Sequence, residues 1–188
     1  MKIVLIRHSK TERNPKIPIL QWGLSEDGIA LAKKLSQKEI IKKVDVLYSS
    51  FQTKALETSV LIAKPNAVPI KADDSLTEVT SFTGPFEKDF DKYTKNVHDY
   101  YLGTIKRISG GETQKEALKR FNAVLESIAK KEVGKEYVGI VTHGNILTLF
   151  SSQFRHVDCF ALHTQIKQPD VALFDWEKKK FISFFGEL

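Results

Sequence analysis

Two rhythms of apolar residues alternate along the chain. Lys2 to Ile6 is apolar without alternation, which predicts a strand covered on both faces. Val44 to Tyr48 and Tyr137 to Thr142 predict two further strands, the latter central, and Val68 to Lys71 a short one. Between them the period becomes helical. Ser25 reads as an N-cap with Glu26 and Asp27 in the first turn, opening a helix to about Gln37 with Ala30, Leu31 and Leu35 inward. A second helix covers Thr53 to Ala63, with Ala55, Leu56, Val60 and Leu61 as its apolar positions. Thr113 and Glu116 have capping-box spacing, and the helix they open runs to about Lys131 on Leu118, Phe121, Leu125 and Ile128. Val171 to Phe174 and Phe181 to Phe184 predict a closing hairpin around Glu177 to Lys179. This order predicts an α/β fold, a three-layer sandwich with a mostly parallel central sheet. Residues 79–110 break the rhythm: Phe82, Phe86, Phe90, Tyr93, Tyr100 and Tyr101 stand among Lys88, Lys92, Lys95 and Lys106. They predict an inserted, partly helical segment, either a packed excursion or a lid over a substrate pocket.

Length and composition narrow the class. A chain of 188 residues suits one domain, residues 1–188, around one substantial core. No apolar stretch approaches the roughly 20 residues that cross a membrane, and Ile3 to Ile6 is too short for a signal-peptide core, so the expected location is cytoplasmic. Cys159, the single cysteine, permits no internal disulfide and is expected to be a buried small hydrophobe. The formal charge of +6 suits an anionic partner. Its lysines are scattered, as in Lys33-Lys34 and Lys130-Lys131, the pattern of solvated faces rather than of a nucleic-acid or membrane surface.

The candidate chemistry lies at two strand ends. Arg7 and His8 close the first strand and His143 closes the strand from Tyr137 to Thr142. Ligands of open α/β sheets bind at such carboxyl ends, so two histidines far apart in sequence can meet there. Each could also be a hydrogen-bonded structural histidine. A zinc site would need further ligands at short spacing, which neither histidine has, and Arg7 would repel a cation and attract an anion. No metal and no cofactor are expected.

Arg7-His8-Ser9-Lys10-Thr11-Glu12-Arg13-Asn14 resembles the Arg-His-Gly-x-Thr-x-x-Asn signature of the histidine phosphatase (phosphoglycerate mutase-like) superfamily. The resemblance continues in order through Leu24 to Gly28, Tyr48-Ser49-Ser50 with Lys54-Ala55 and Thr58, Leu76-Thr77-Glu78, Gly110 to Thr113, and Val141 to Asn145. It implies phosphomonoester hydrolysis without a metal, through a phosphohistidine on His8. Arg7 would bind the phosphoryl oxygens, His143 would donate to them, and Glu78 would act as general acid and then base. Asn14, Lys54 and Gly144 are implied on the substrate side, with Ser50 and Glu112 in supporting roles and Thr113 as a helix cap. The implied partner is a phosphorylated small molecule, with a phosphoprotein as the other class; substrate identity and oligomeric state are not specified by these residues.

Three positions depart from the pattern. Ser9 replaces glycine and would either crowd the site or add a hydroxyl donor. Lys54 replaces arginine, keeping the charge and losing the bidentate fork; Arg13 or Lys10 could fill its role instead. Thr113 replaces serine. Two alternatives to hydrolysis remain: phosphoglycerate mutase-type transfer, and a weakly active phosphate- or phosphopeptide-binding module. Against the mutase, Val79-Thr80-Ser81-Phe82 stands where those enzymes carry Arg-His-Tyr-Gly.

Overall fold

The computed structural model describes residues 1–84 and 86–188, with Phe90 through its backbone; Pro85 of the insertion and the Phe90 side chain lie outside the described residues. Among the described residues six strands make one sheet: β1 (Lys2–Arg7), β2 (Val46–Ser49), β3 (Ile70–Ala72), β4 (Tyr137–Thr142), β5 (Asp170–Asp175) and β6 (Lys180–Ser183), in the order β3-β2-β4-β1-β5-β6. The pairs β3–β2, β2–β4 and β4–β1 are parallel, and β1–β5 and β5–β6 are antiparallel. The expected α/β sandwich with a mostly parallel sheet is what the chain builds.

Strand alternation divides the interior in two. Ile3 and Leu5 of β1 point into one apolar cluster with Phe121, Leu125, Leu147 and Phe150. Val4 and Ile6 point the other way, to Leu35, Leu47, Ala55 and Ile62. Helices α5 (Gln114–Lys131) and α6 (Gly144–Ser152) supply the first layer, and α1 (Glu26–Leu35), α2 (Glu39–Lys42) and α3 (Thr53–Ala63) the second. Among the described residues no helix is long and apolar enough to cross a membrane.

Two helix faces differ from the periodicity reading. In α1 the buried positions are Gly28, Ala32 and Leu35, while Ala30 is exposed and Leu31 half-buried. A Cβ on Gly28 would stand 2.0 Å from the Lys10 carbonyl oxygen. That close approach selects the face, and Ala32 and Leu35 follow it by helical spacing. In α3 the buried face carries Lys54, Ala55, Thr58, Ser59, Ile62 and Ala63, and Val60 is 50% exposed. Thr58 and Ser59 can be buried because their hydroxyls donate to the carbonyls of Lys54 and Ala55, at 2.7 and 2.8 Å.

The insertion contains α4 (Phe90–Leu102), capped by Asp89 and stopped by Gly103 at φ 77°. Val97 and Tyr100 of α4 are buried, and the Tyr100 hydroxyl donates to the Glu112 carbonyl at 3.1 Å. The segment is thus packed into the core along one side, and its Phe82, Phe86 and Tyr93 line the cavity that also holds Arg7 and His8. Helix α7 (Cys159–Gln165), capped by Asp158, completes the order. Cys159 is half-buried rather than buried, because it opens α7 at its first turn.

Candidate active site

Parallel register creates the site. Arg7 of β1 lies opposite Thr142 of β4, so the next residues, His8 and His143, leave the sheet side by side. The His8 N–H donates to the Thr142 carbonyl at 2.9 Å. The imidazole centroids are 5.1 Å apart with planes at 60°, and both rings are buried.

Hydrogen bonds assign the ring nitrogens. His8 Nδ1 lies 2.8 Å from the Ser9 carbonyl, which only accepts, so Nδ1 carries the proton and Nε2 holds the lone pair. His143 Nε2 lies 2.9 Å from Ser50 Oγ, which accepts from the Gln52 N–H at 3.3 Å. Where the Ser50 hydroxyl donates to Nε2, His143 carries its proton on Nδ1. Burial drives the His8 pKa well below its usual value, and Lys54 and Arg7 push the same way. His143 is lowered by burial first, then by His8, Lys54 and Arg7. Both rings are neutral at pH 7.

Arg7 donates through Nη1 to the Ile166 carbonyl. Its guanidinium lies against Gly144, where a Cβ would meet Arg7 Cζ at 2.8 Å. Lys54 is buried, donates to the Ile19 carbonyl at 3.1 Å, and has its pKa lowered to about 8 by burial, opposed by Glu78. Glu78 is buried with both oxygens accepting N–H donors. Oε1 accepts from Val79 and Ile146 at 2.9 Å, and Oε2 from the Asn145 backbone at 3.0 Å and Asn145 Nδ2 at 3.1 Å. The carboxylate therefore caps the start of α6.

Arg7, His8, Lys54, Glu78 and His143 line one cavity of about 370 Å³, together with Arg13, Gln52, Tyr93, Asn145 and His163. Among the described residues, five buried side-chain polar atoms lack a partner, and three of them, Arg7 Nε, His143 Nδ1 and Gln52 Oε1, belong to residues of this cavity. The Gln52 amide now donates to Thr77 Oγ1 at 2.8 Å; turned over, it would offer an N–H where the unpartnered oxygen stands. Arg7 Nε and His143 Nδ1, with the Gln52 amide if it is turned over, would suit the oxygens of a tetrahedral oxyanion in this cationic cavity. Among the described residues no three His, Cys, Asp or Glu side chains are gathered to hold a metal ion. A larger, open depression of about 630 Å³ near Met1, Val133 and Trp176 lies away from all of these residues.

Several expectations shift position. Asn14 is not in the cavity lining; its Oδ1 accepts from Lys16 N at 3.0 Å, because the turn through Pro15 uses the side chain locally. Gly144 lies under Arg7 instead of lining the cavity. Ser9 neither crowds the site nor donates into it: its hydroxyl is turned to the Gly28 carbonyl at 2.7 Å. Lys10 is absent from the lining, whereas Arg13 is part of it. Gln52, Asn145, Tyr93, Tyr101 and His163 are not marked as site residues by the sequence. Asn145 is two residues from His143 and could be found by that nearness; His163, on α7, carries no local signal.

The chain matches the family model of the histidine phosphatase superfamily (branch 1) over residues 3–183. It is 27% identical over 150 residues to phosphoserine phosphatase 1 of Hydrogenobacter thermophilus, covering 76% of this chain and 71% of that protein. Its fold is similar to that of Bacillus stearothermophilus YhfR, with a TM-score of 0.78 at 20% identity over 99% of this chain and 96% of the other. A mutant phosphoserine phosphatase from Entamoeba histolytica in complex with phosphoserine superposes with a TM-score of 0.75 at 22% identity, over 98% and 95% of the two chains.

Proposed function

The chain belongs to the histidine phosphatase superfamily, branch 1, and from that premise we propose that it hydrolyses phosphate monoesters through a phosphohistidine on His8. The observation that carries the reading is the pair His8–His143, with a lone pair on His8 Nε2 and unpartnered donors on His143 and Arg7. His8 Nε2 attacks phosphorus, the bond to the ester oxygen breaks, and its electron pair leaves on that oxygen, which takes a proton from Glu78. Water then attacks the phosphoryl group, the P–N bond returns its pair to Nε2, and Glu78 takes the proton from water. His143 Nδ1–H, Arg7 and Lys54 stabilise the charge spread over the phosphoryl oxygens.

The relatives that are phosphoserine phosphatases make phosphoserine the first substrate to assay. Turnover should be abolished in His8→Ala. Rapid denaturation at alkaline pH during turnover should trap one phosphoryl group on the His8 peptide of the wild type. Robust turnover by His8→Ala overturns the proposal. Binding of vanadate without turnover of any monoester would instead identify a binding module.

A further inference from the structure

In the proposed reaction Glu78 gives up a proton and takes one back, so its surroundings have to suit two states. The structure shows the setting for the carboxylate. Three of its four donors are backbone N–H groups of Val79, Asn145 and Ile146, fixed with the chain. The fourth is the side-chain amide of Asn145, on Oε2. A proton on Oε2 would face that N–H, donor against donor, and the amide is the one of the four that can turn over.

What holds the amide lies beyond it. Asn145 Oδ1 accepts from the Tyr101 hydroxyl at 2.8 Å, and the Tyr101 oxygen is 3.4 Å from His163 Nδ1, too long for a well-formed bond. Tyr101 comes from α4 in the insertion and His163 from α7, so three elements meet at this chain of side chains. Burial drives the His163 pKa down to about 4, with Arg7 adding to the effect, so its ring is neutral and has an acceptor nitrogen at pH 7. Burial raises the Tyr101 pKa far above its usual value, so the phenol keeps its proton.

We propose, resting on the acid–base reading of Glu78, that Asn145, Tyr101 and His163 form a hydrogen-bond relay with two settings, one for each protonation state of that carboxyl group. In the first, Tyr101 donates to Asn145 Oδ1 and Asn145 Nδ2 donates to Glu78 Oε2. In the second, the amide is turned over: protonated Glu78 donates to Asn145 Oδ1, Asn145 Nδ2 donates to the Tyr101 oxygen, and Tyr101 donates to His163 Nδ1. His163 keeps its proton on Nε2 throughout. Glu78, Asn145 and Tyr101 keep partners in both settings, so the acid is reset without stranding a buried donor. Tyr101 is a positioning residue, acting on the reaction only through Glu78; His163 ends the relay and also lines the cavity.

The test is single-turnover phosphorylation across monoesters graded from nitrophenyl to alkyl leaving groups. Tyr101→Phe keeps the ring and removes the relay oxygen; His163→Phe removes the acceptor of the second setting and replaces an imidazole of the cavity wall. Glu78→Gln should steepen the dependence on leaving group. Both relay variants should steepen it in the same sense, losing roughly three- to tenfold with alkyl esters, the size of one hydrogen bond. They should lose less with nitrophenyl phosphate, and Tyr101→Phe, which lies outside the cavity lining, should leave vanadate affinity unchanged. Tyr101→Phe combined with Glu78→Gln should be no slower than Glu78→Gln alone, since both act through one group. Equal loss for all leaving groups, or additive losses in the double variant, overturns the relay. If Glu78→Gln steepens the dependence and the relay variants do not, the relay alone falls. If Glu78→Gln leaves it unchanged, Glu78 is not the acid and both readings fall.

Discussion

Lys54 holds its charge in a place that disfavours it. The ammonium is buried, has the Ile19 carbonyl as acceptor, and titrates at about 8. If it stabilises the phosphoryl group as a cation, kcat/KM of the free enzyme should fall as pH rises through about 8. Lys54→Arg should carry activity to higher pH, because a guanidinium stays charged there. Lys54→Met should lower kcat/KM by roughly 10²–10³-fold, the scale for removing one charge-stabilising donor. The same change should stabilise the fold. The folded pKa lies below the unfolded value of about 10.4, so the folded state binds fewer protons between about 8 and 10.4 and wild-type stability rises with pH across that window. At pH 7 the burial cost is fully present, and Lys54→Met should raise Tm by a few degrees in calorimetry. A Lys54→Met enzyme with unchanged pH–rate profile and unchanged Tm would contradict both expectations.

At the scale of elements, the insertion is tied to the rest through Arg120 of α5. Its guanidinium donates to both Glu112 oxygens, at 2.7 and 2.8 Å, and to the carbonyls of Ser75 and Thr77, at 2.8 and 3.1 Å. Glu112 in turn accepts from the Thr80 N–H at 3.1 Å. One side chain thus fixes the chain on both sides of Glu78. Arg120→Met should cost roughly 2–4 kcal/mol in urea unfolding, as several bonds to a charge are lost together. Arg120→Lys should recover little of it, since an ammonium cannot reproduce the fork. Ties of this kind mark the limit of what is legible in the sequence. The strands β1 and β4 and the helices α3 and α5 announce themselves by composition and caps, and the bounds of α3 and β4 coincide with the expected ones. The inward faces of α1 and α3 escape apolar periodicity because contact with the Lys10 carbonyl and local hydroxyl bonds outweigh it. The short helices α2 and α7 have too few turns to carry a period, although Asp158 caps α7 with a bond to Ala161 N. Residues of the site supplied by strand ends can be read from register logic. Tyr101 and His163 cannot, because only tertiary packing brings α4 and α7 to the cavity.

For the molecule as a whole, three neutral buried or half-buried histidines set the response to acid. His8, His143 and His163 all have lowered pKa values, the last at about 4. Below about pH 6.5 the unfolded chain takes up protons that the folded state refuses, so stability is full above that pH and falls as pH drops towards 4. Tm measured from pH 7 to 4.5 should decline, and His163→Phe should flatten the decline; a flat wild-type profile would show these rings to be solvated. Activity should be unaffected by excess EDTA, since the site assembles cations and neutral imidazoles around the cavity; loss restored by added zinc or magnesium would contradict the mechanism. The order of the sheet carries a last consequence, in time rather than space. Strand β1 leads the chain yet lies in the middle of the sheet, paired with β4 on one side and β5 on the other. As the chain emerges from a ribosome, Arg7 and His8 wait for partners made much later, and such distant pairings make folding slow. Recovery of activity on refolding will therefore lag behind helix formation, appearing when the central strand is enclosed.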